Sequence, residues 1–334
     1  MMRLLYRNSD ASATSCPKRR SLVHCSGPVP GKQRLMQKDR IIMKIRDILD
    51  KRKLSVSFEV FPPRQDSGIE GVMRCTNELA ELNPDFISVT YGAGGGTSAN
   101  TVRIASHLQT IGVTPIAHLT SYSSTKDEVH RVISELKEKN VYNILALRGD
   151  KPRDPDFVPP GDYRYASDLV SDIKSLGDFC VGGACYPEGH PESGGREQDI
   201  SNLKAKVDAG CSFLTTQMFF ENSLLYSFLY RTQAKGITVP VLAGIMPVTS
   251  GKQVQRIREL SNAYLPTKFL SLVDRFGDNN DAMKQAGIAY ASEQIIDLVA
   301  NGVRGIHIYA MNRPDIVRAI MANISSILEG ARAL

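Results

Sequence analysis

No stretch of the 334-residue sequence holds the ~20 consecutive apolar residues that span a bilayer. The longest apolar runs, such as Phe86–Val89 and Val239–Ala243, stop far short of it, so no membrane partner is expected. Cysteine is sparse and unpaired in pattern. Cys16 and Cys25 lie near the N-terminus, and Cys75, Cys180, Cys185 and Cys211 are scattered in apolar contexts without a C-x-x-C motif. That usage fits small buried residues in a reducing, cytoplasmic setting and argues against a disulfide scaffold. The six histidines form no H-x-x-x-H or H-E-x-x-H pair, which removes the simple metal readings, and no metal is expected. A glycine fingerprint for dinucleotides is missing after the first β-rich run, where the sequence reads Phe58-Glu59-Val60-Phe61-Pro62-Pro63-Arg64. Gly251-Lys252-Gln253 lacks the glycine spacing and hydroxyl of a P-loop.

What remains is ordinary globular composition, 42% hydrophobic and 23% charged, with a net charge of +6. The charge is local. Residues 1–42 carry nine basic side chains (Arg3, Arg7, Lys18, Arg19, Arg20, Lys32, Arg34, Lys38 and Arg40) against Asp10 and Asp39, so they hold +7. The other 292 residues therefore sum to −1, which removes the case for a nucleic-acid partner. Residues 1–42 are read as a basic, disordered extension, with a seldom-used upstream start or a transit peptide as alternatives. Met43-Lys-Ile-Arg-Asp-Ile-Leu reads as the start of a first helix, and 43–334 as one catalytic domain.

From residue 55, β-rich runs alternate with helical patterns. Strands are expected at 55–61, 86–92, 114–120, 143–150, 179–187, 213–219, 239–247 and 305–311. Helices are expected at 68–82, 98–111, 126–140, 165–176, 196–210, 222–236, 250–261, 281–301 and 313–330. Several strands are nearly continuous apolar segments, as in parallel sheets buried on both faces. Eight strands each followed by a helix predict an α/β fold, a single (β/α)8 TIM barrel with an extra N-terminal helix.

In such barrels the chemistry stands at the C-terminal strand ends. Glu59 lies between Phe58 and Val60, where desolvation of a carboxyl would favour the protonated form that a general acid needs. A buried structural Glu paired with an Arg is the equal alternative. His118 on its apolar strand is more often a satisfied core histidine. Arg148-Gly149-Asp150 places a cation and a carboxylate at one strand end. Gly94-Gly95-Gly96-Thr97 could offer backbone N–H groups to a phosphate, or be only a flexible loop.

Taken together these segments resemble the methylenetetrahydrofolate reductase family. They include Phe58–Arg64, Ser88-Val89-Thr90-Tyr91-Gly92-Ala93, Ala117-His118-Leu119-Thr120 and Ala146-Leu147-Arg148-Gly149-Asp150. Tyr165–Val170, Tyr186-Pro187-Glu188-Gly189-His190-Pro191, Lys206–Gly210, Thr216–Phe220, Gly244–Pro247 and Met311-Asn312-Arg313 continue the likeness in unbroken order. The pattern is similar to the short, bacterial type, without the adenosylmethionine-binding domain of eukaryotic members. The resemblance implies an enzyme that uses FAD to move a hydride from NADH or NADPH to 5,10-methylenetetrahydrofolate. The product, 5-methyltetrahydrofolate, would supply methyl groups for methionine synthesis, and a homo-oligomer is expected.

The resemblance further implies Glu59 as the acid that protonates N10 and Asp150 as the carboxylate beside flavin and pterin. FAD contacts would come from Thr90, Tyr91, Ala93, His118, Arg148, Gly149, Asp150, Tyr165, Ala166, Tyr186, His190, Asp199, Asn202 and Lys206. Gln217, Gln253 and Arg313 would bind the substrate. Two positions depart from the family pattern. Ala205 stands where an Arg is expected, and Ile257 replaces an aromatic on the helix expected to pack over the substrates. Another flavin barrel, such as a proline dehydrogenase, would not require Glu59 in this context, and a non-catalytic paralogue would have little reason to keep it.

Overall fold

The computed structural model describes residues 43–333 apart from 64, 92–97, 152–155 and 262. The basic extension at 1–42, Ala93 and the Gly94–Thr97 turn lie outside the described residues.

Eight parallel strands close into a barrel in sequence order: β1 Ser55–Val60, β2 Phe86–Val89, β3 Pro115–Thr120, β4 Asn143–Leu147, β5 Cys180–Cys185, β6 Phe213–Thr216, β7 Val241–Ile245 and β8 Gly305–Tyr309. β8 pairs back onto β1, with His307 opposite Ser57 and Tyr309 opposite Glu59. The expected TIM barrel is present, and its strands stop earlier than the apolar runs do. Arg148-Gly149-Asp150 and Gln217 therefore stand just beyond their strands, on the loops that build the mouth.

Outside the barrel run α1 Ile45–Lys51, α2 Ile69–Ala80, α3 Ser98–Thr110, α4 Lys126–Glu138, α5 Ala166–Ser175, α6 Arg196–Asp208 and α7 Asn222–Ala234. They are followed by α8 Gly251–Leu260, α9 Thr267–Phe276, α10 Asn280–Ala300, α11 Pro314–Asn323 and α12 Ser325–Ala333. α4 shows how locally these helices are specified. Thr125 Oγ1 accepts from the Glu128 N–H while Glu128 Oε2 accepts from the Thr125 N–H, a capping box. Val129, Val132, Ile133 and Leu136 then bury one stripe against the barrel.

The sequence pattern missed two features. α9 fills a stretch left unassigned, starting after Pro266 and burying Phe269. The single helix expected at 313–330 is two, broken at Ile324.

Alternation along the strands sorts the interior. Val56, Phe58 and Val60 of β1 and Ile306 and Ile308 of β8 face the helices and join the main core. At the bottom, Phe86, Ile116, Leu145, Phe213 and Leu242 meet Ile45, Ile48 and Leu49 of α1, an apolar plug. Gly182 makes room there, since a Cβ on it would lie 2.3 Å from the Phe213 ring. Asn143 ties α1 to the barrel. Its Oδ1 accepts from the Ile45 N–H at 2.9 Å, and its Nδ2 donates to the carbonyls of Met43 and Pro115. With the floor closed, the open end is the C-terminal one. Among the described residues no helix is long and apolar enough to cross a membrane.

Candidate active site

A cavity of about 520 Å³ opens at the C-terminal ends of the strands, within the usual range for a small-molecule site. Its lining contains Glu59 and every described residue expected to hold FAD: Thr90, Tyr91, His118, Arg148, Gly149, Asp150, Tyr165, Ala166, Tyr186, His190, Asp199, Asn202 and Lys206. Gln217 lines it too, and also lines a neighbouring cavity of about 320 Å³ reached past Tyr186, His190 and Ser193.

Glu59 sits deep in this space with 2% of its surface exposed. Its surroundings differ from the expectation. Phe58 and Val60 flank it in sequence but point to the opposite face of the strand, into the helix layer. The carboxyl instead lies between two imidazoles, with Oε2 at 3.6 Å from His118 Nε2 and 3.7 Å from His307 Nε2.

His118 is not the satisfied core histidine that its strand suggested. Its Nε2 is buried without a hydrogen-bond partner. Burial pushes its pKa down to about 4, with Glu59 opposing and His307 reinforcing the shift. This has a consequence for stability. Above the ordinary histidine value both folded and unfolded chains hold the ring neutral. Between about pH 6.5 and about pH 4 only the unfolded chain binds the proton, so stability falls as pH drops through that window. The loss is on the order of 3 kcal/mol at its acid end. Urea unfolding at several pH values checks this: His118→Gln should flatten the acid arm of the stability curve, and an arm as steep as the wild type's would refute it.

Arg148 and Lys206 both line the cavity. Arg148 forms a bidentate pair with Glu192 at 2.8 and 2.9 Å and lies over the Tyr122 ring. In return the guanidinium holds the Glu192 carboxyl down at about 2. Lys206 donates to the Ala184 carbonyl and packs over Gly183, where a Cβ would lie 2.7 Å from the lysine Cδ. Gly149 turns the chain with φ +85° against Thr120, so that Arg148 and Asp150 both reach the mouth. Asp168 accepts from the Arg164 and Tyr165 N–H groups and thereby sets the start of α5, where Tyr165 and Ala166 line the wall. Burial raises the Asp199 carboxyl and lowers His190. The donor set fits FAD: two cations for a diphosphate, an unpartnered buried imidazole, and hydroxyl and carboxylate groups for sugar and ring. Among the described residues no cluster of three or more His, Cys, Asp or Glu is arranged to hold a metal ion.

Gln253 and Arg313 stand apart from the cavity lining. Gln253 Oε1 accepts from the Thr249 N–H and hydroxyl at the start of α8. Arg313 donates through Nε and a terminal nitrogen to Asp315. Asn312 fastens this segment to the barrel rim, clasping the backbone N–H and C=O of Phe61. Ile257 is 1% exposed and packs among Met246, Val254 and Phe269, so its side chain completes a core beneath the rim and does not face the cavity. Ala205 is exposed at the cavity edge, next in the chain to Lys206. Sequence reasoning missed Glu192 and His307. The signal for His307 was available in the alternation Gly305-Ile306-His307-Ile308-Tyr309, which places it on the same interior face as Tyr309.

The sequence profile of the family described as methylenetetrahydrofolate reductase matches residues 44–325. Among curated relatives, 5,10-methylenetetrahydrofolate reductase of Pectobacterium carotovorum subsp. carotovorum is 34% identical over 272 residues, covering 80% of this chain and 89% of the relative. The enzyme of that name from Escherichia coli K12 is 33% identical, covering 85% and 94%. Methylenetetrahydrofolate reductase (NADH) 1 of Arabidopsis thaliana is 32% identical over 304 residues. The chain spans 51% of that plant relative's length and most of the bacterial ones. Among solved structures, an uncharacterized protein from Clostridium thermocellum, described as binding two copies of 5-methyl-5,6,7,8-tetrahydrofolic acid, superposes with a TM-score of 0.60. The alignment covers 85% of this chain and 98% of that one at 17% identity, a likeness of fold.

Proposed function

The chain belongs to the methylenetetrahydrofolate reductase family, and on that premise we propose that it reduces 5,10-methylenetetrahydrofolate to 5-methyltetrahydrofolate with NADH or NADPH, using FAD. The observation that carries this reading is the placement of a buried carboxyl, Glu59, in the same cavity as Asp150, Gln217 and the cations Arg148 and Lys206. When bound, FAD supplies the two-electron relay between the nicotinamide and the folate.

The residues of the chain do the rest. The five-membered ring of the substrate must open to a 5-iminium cation before a hydride can add, and opening needs a proton on N10. Glu59 supplies that proton from a site closed off below by the apolar plug. Asp150 holds the pterin and stabilises the positive charge that develops on opening. Gln217, whose Oε1 accepts from the Met218 N–H, keeps its amide at the junction of the two cavities, where folate and nicotinamide would take turns. Arg148 and Lys206 bind diphosphate. The Arabidopsis relative carries NADH in its name, so NADH is the donor to try first.

The test is product identification. FAD-loaded protein is incubated with 5,10-methylenetetrahydrofolate and either nicotinamide, and the folate is analysed by chromatography and mass spectrometry. Formation of 5-methyltetrahydrofolate is expected. A protein that keeps FAD and oxidises the nicotinamide but leaves the folate unchanged would overturn the reading.

A further inference from the structure

The chain leaves β5 through a turn that its own residues specify. Tyr186-Pro187-Glu188-Gly189 closes with the Gly189 N–H donating to the Tyr186 carbonyl at 3.0 Å, with proline second in the turn and glycine last, at φ +91°. Tyr186 and His190 thereby stand on the boundary between the two cavities, and Glu188 lines the smaller one alone. The rest of that cavity of about 320 Å³ comes from Arg196 at the start of α6, Gln217 and Met218 after β6, and Ser261 and Ala263 after α8.

Among the described residues Glu188 is the only acidic one in this lining. Its Oε2 accepts from the Tyr264 N–H at 2.7 Å, which ties the segment after α8 to the turn. Its Oε1 is buried and has no hydrogen-bond partner. A buried acceptor without a donor is costly, and a ligand that brings a donor offsets the cost. Burial also raises the pKa of this carboxyl, against the Tyr264 N–H and the Arg196 charge, so a further hydrogen bond donated to it would stabilise the ionised form.

We propose that this smaller cavity is the adenosine subsite of the nicotinamide donor, and that Glu188 selects NADH over NADPH by accepting a hydrogen bond from the ribose 2′-hydroxyl. The inference rests on the reading above. A dinucleotide that delivers its hydride in the main cavity needs room for its other half, and the smaller cavity adjoins the main one at Gln217. Its volume is at the low end of the range for small-molecule sites, suited to a nucleoside and not to a whole dinucleotide. In dinucleotide sites an acidic side chain on the 2′-hydroxyl is the common means of recognising NAD. The 2′-phosphate of NADPH would set a second anion against Glu188, and specificity is built from such repulsions. Arg196 is exposed and can meet the diphosphate that both dinucleotides carry. It favours them alike and leaves the choice to Glu188. The folate tail is a poorer occupant. Its carboxylates would meet the same repulsion, and Gln253 and Arg313, the polar groups expected for folate, line neither cavity.

The test follows flavin reduction in the FAD-loaded enzyme by anaerobic stopped flow over a range of NADH and NADPH concentrations. The wild type should half-saturate at a concentration of NADH lower than that of NADPH by about tenfold or more. Glu188→Gln keeps an acceptor oxygen for the Tyr264 N–H and removes the charge. It should narrow that ratio by about tenfold, since NADH loses a hydrogen bond to a charged group and NADPH is relieved of a repulsion. General loosening of the loop would weaken both donors together and leave the ratio where it was. Calorimetry gives a reading without turnover. ADP-ribose should bind the FAD-loaded wild type more tightly than 2′-phospho-ADP-ribose, and Glu188→Gln should erase the difference. Should Glu188→Gln fail to hold FAD, Ala263→Phe, which fills the smaller cavity and leaves Glu188 in place, must weaken ADP-ribose binding. A wild type that prefers NADPH or binds no ADP-ribose, a ratio unmoved in Glu188→Gln, or ADP-ribose binding indifferent to Ala263→Phe would overturn the proposal. Selective bleaching by NADH with the folate left unchanged would instead overturn the function and leave the subsite standing.

Discussion

Replacing Glu59 by glutamine is expected to lower the rate of the proposed folate reduction by a factor of about 10² to 10⁴, the usual contribution of a positioned general acid, while NADH should still bleach the bound flavin. The split follows from the geometry. Glu59 is part of the interior wall, buried at the deep end of the cavity between His118 and His307, and far in sequence from the Arg148–Glu192 pair at the rim. Glutamine has nearly the same volume, so the packing is kept and the amide still fills the space between the imidazoles. What disappears is the proton. Hydride delivery from the nicotinamide requires no such proton and should proceed. The measurement is a pair of single-turnover traces, flavin reduction by NADH and reoxidation by 5,10-methylenetetrahydrofolate. A variant that retains its folate trace would remove Glu59 from the chemistry.

Arg148→Met is expected to weaken FAD binding by about ten- to a hundredfold. A hydrogen bond to a charged group contributes about 1.5–3 kcal/mol, and each 1.4 kcal/mol is a factor of ten. Arg148 is preorganised for such a bond. Its guanidinium is fixed by two parallel hydrogen bonds that it donates to Glu192 and lies over Tyr122, and the glycine after it turns the chain into the cavity. Lys206 remains as a second cation, with one of its three donors on the Ala184 carbonyl, so binding is weakened and not abolished, and Ala205 adds no charge next to it. Fluorescence quenching of FAD titrated with apoprotein gives the dissociation constant. Arg148→Lys, which keeps the charge and loses the fork, should fall between the two. Affinity in Arg148→Met equal to the wild type's would place the diphosphate elsewhere.

Much of the fold is legible in the sequence. The eight β-rich runs, each followed by a helical stretch, are a long-period signal that tolerates errors of a few residues. Strand ends were harder, since the apolar character of Ala146-Leu147 or Thr216-Gln217-Met218 continues past the point where pairing stops. α9 escaped because it is short and starts after Pro266, so its pattern of Phe269, Leu270 and Val273 has little sequence in which to repeat. The environment of Glu59 is not legible from its sequence neighbours for a simpler reason. Neighbours in a strand point to opposite faces, so Phe58 and Val60 say nothing about what surrounds the carboxyl. Its true neighbours come from β3 and β8, 59 and 248 residues along the chain from it, and only closure of the barrel brings them together. Gln253 and Arg313 show the converse. Both are polar residues at loop–helix junctions, and each is engaged locally, by Thr249 and by Asp315.

In the proposed reaction one cavity serves both the nicotinamide and the folate through a shared FAD, with Glu59 acting in only the second step. Sequential-mixing stopped flow tests that most directly. The FAD-loaded enzyme is first mixed anaerobically with a stoichiometric amount of NADH, and then with 5,10-methylenetetrahydrofolate. Full bleaching in the first mix, full recovery of flavin absorbance in the second, and 5-methyltetrahydrofolate as the product are predicted. Bleaching that requires the folate to be present, or reduced flavin that the folate leaves unoxidised, would contradict it.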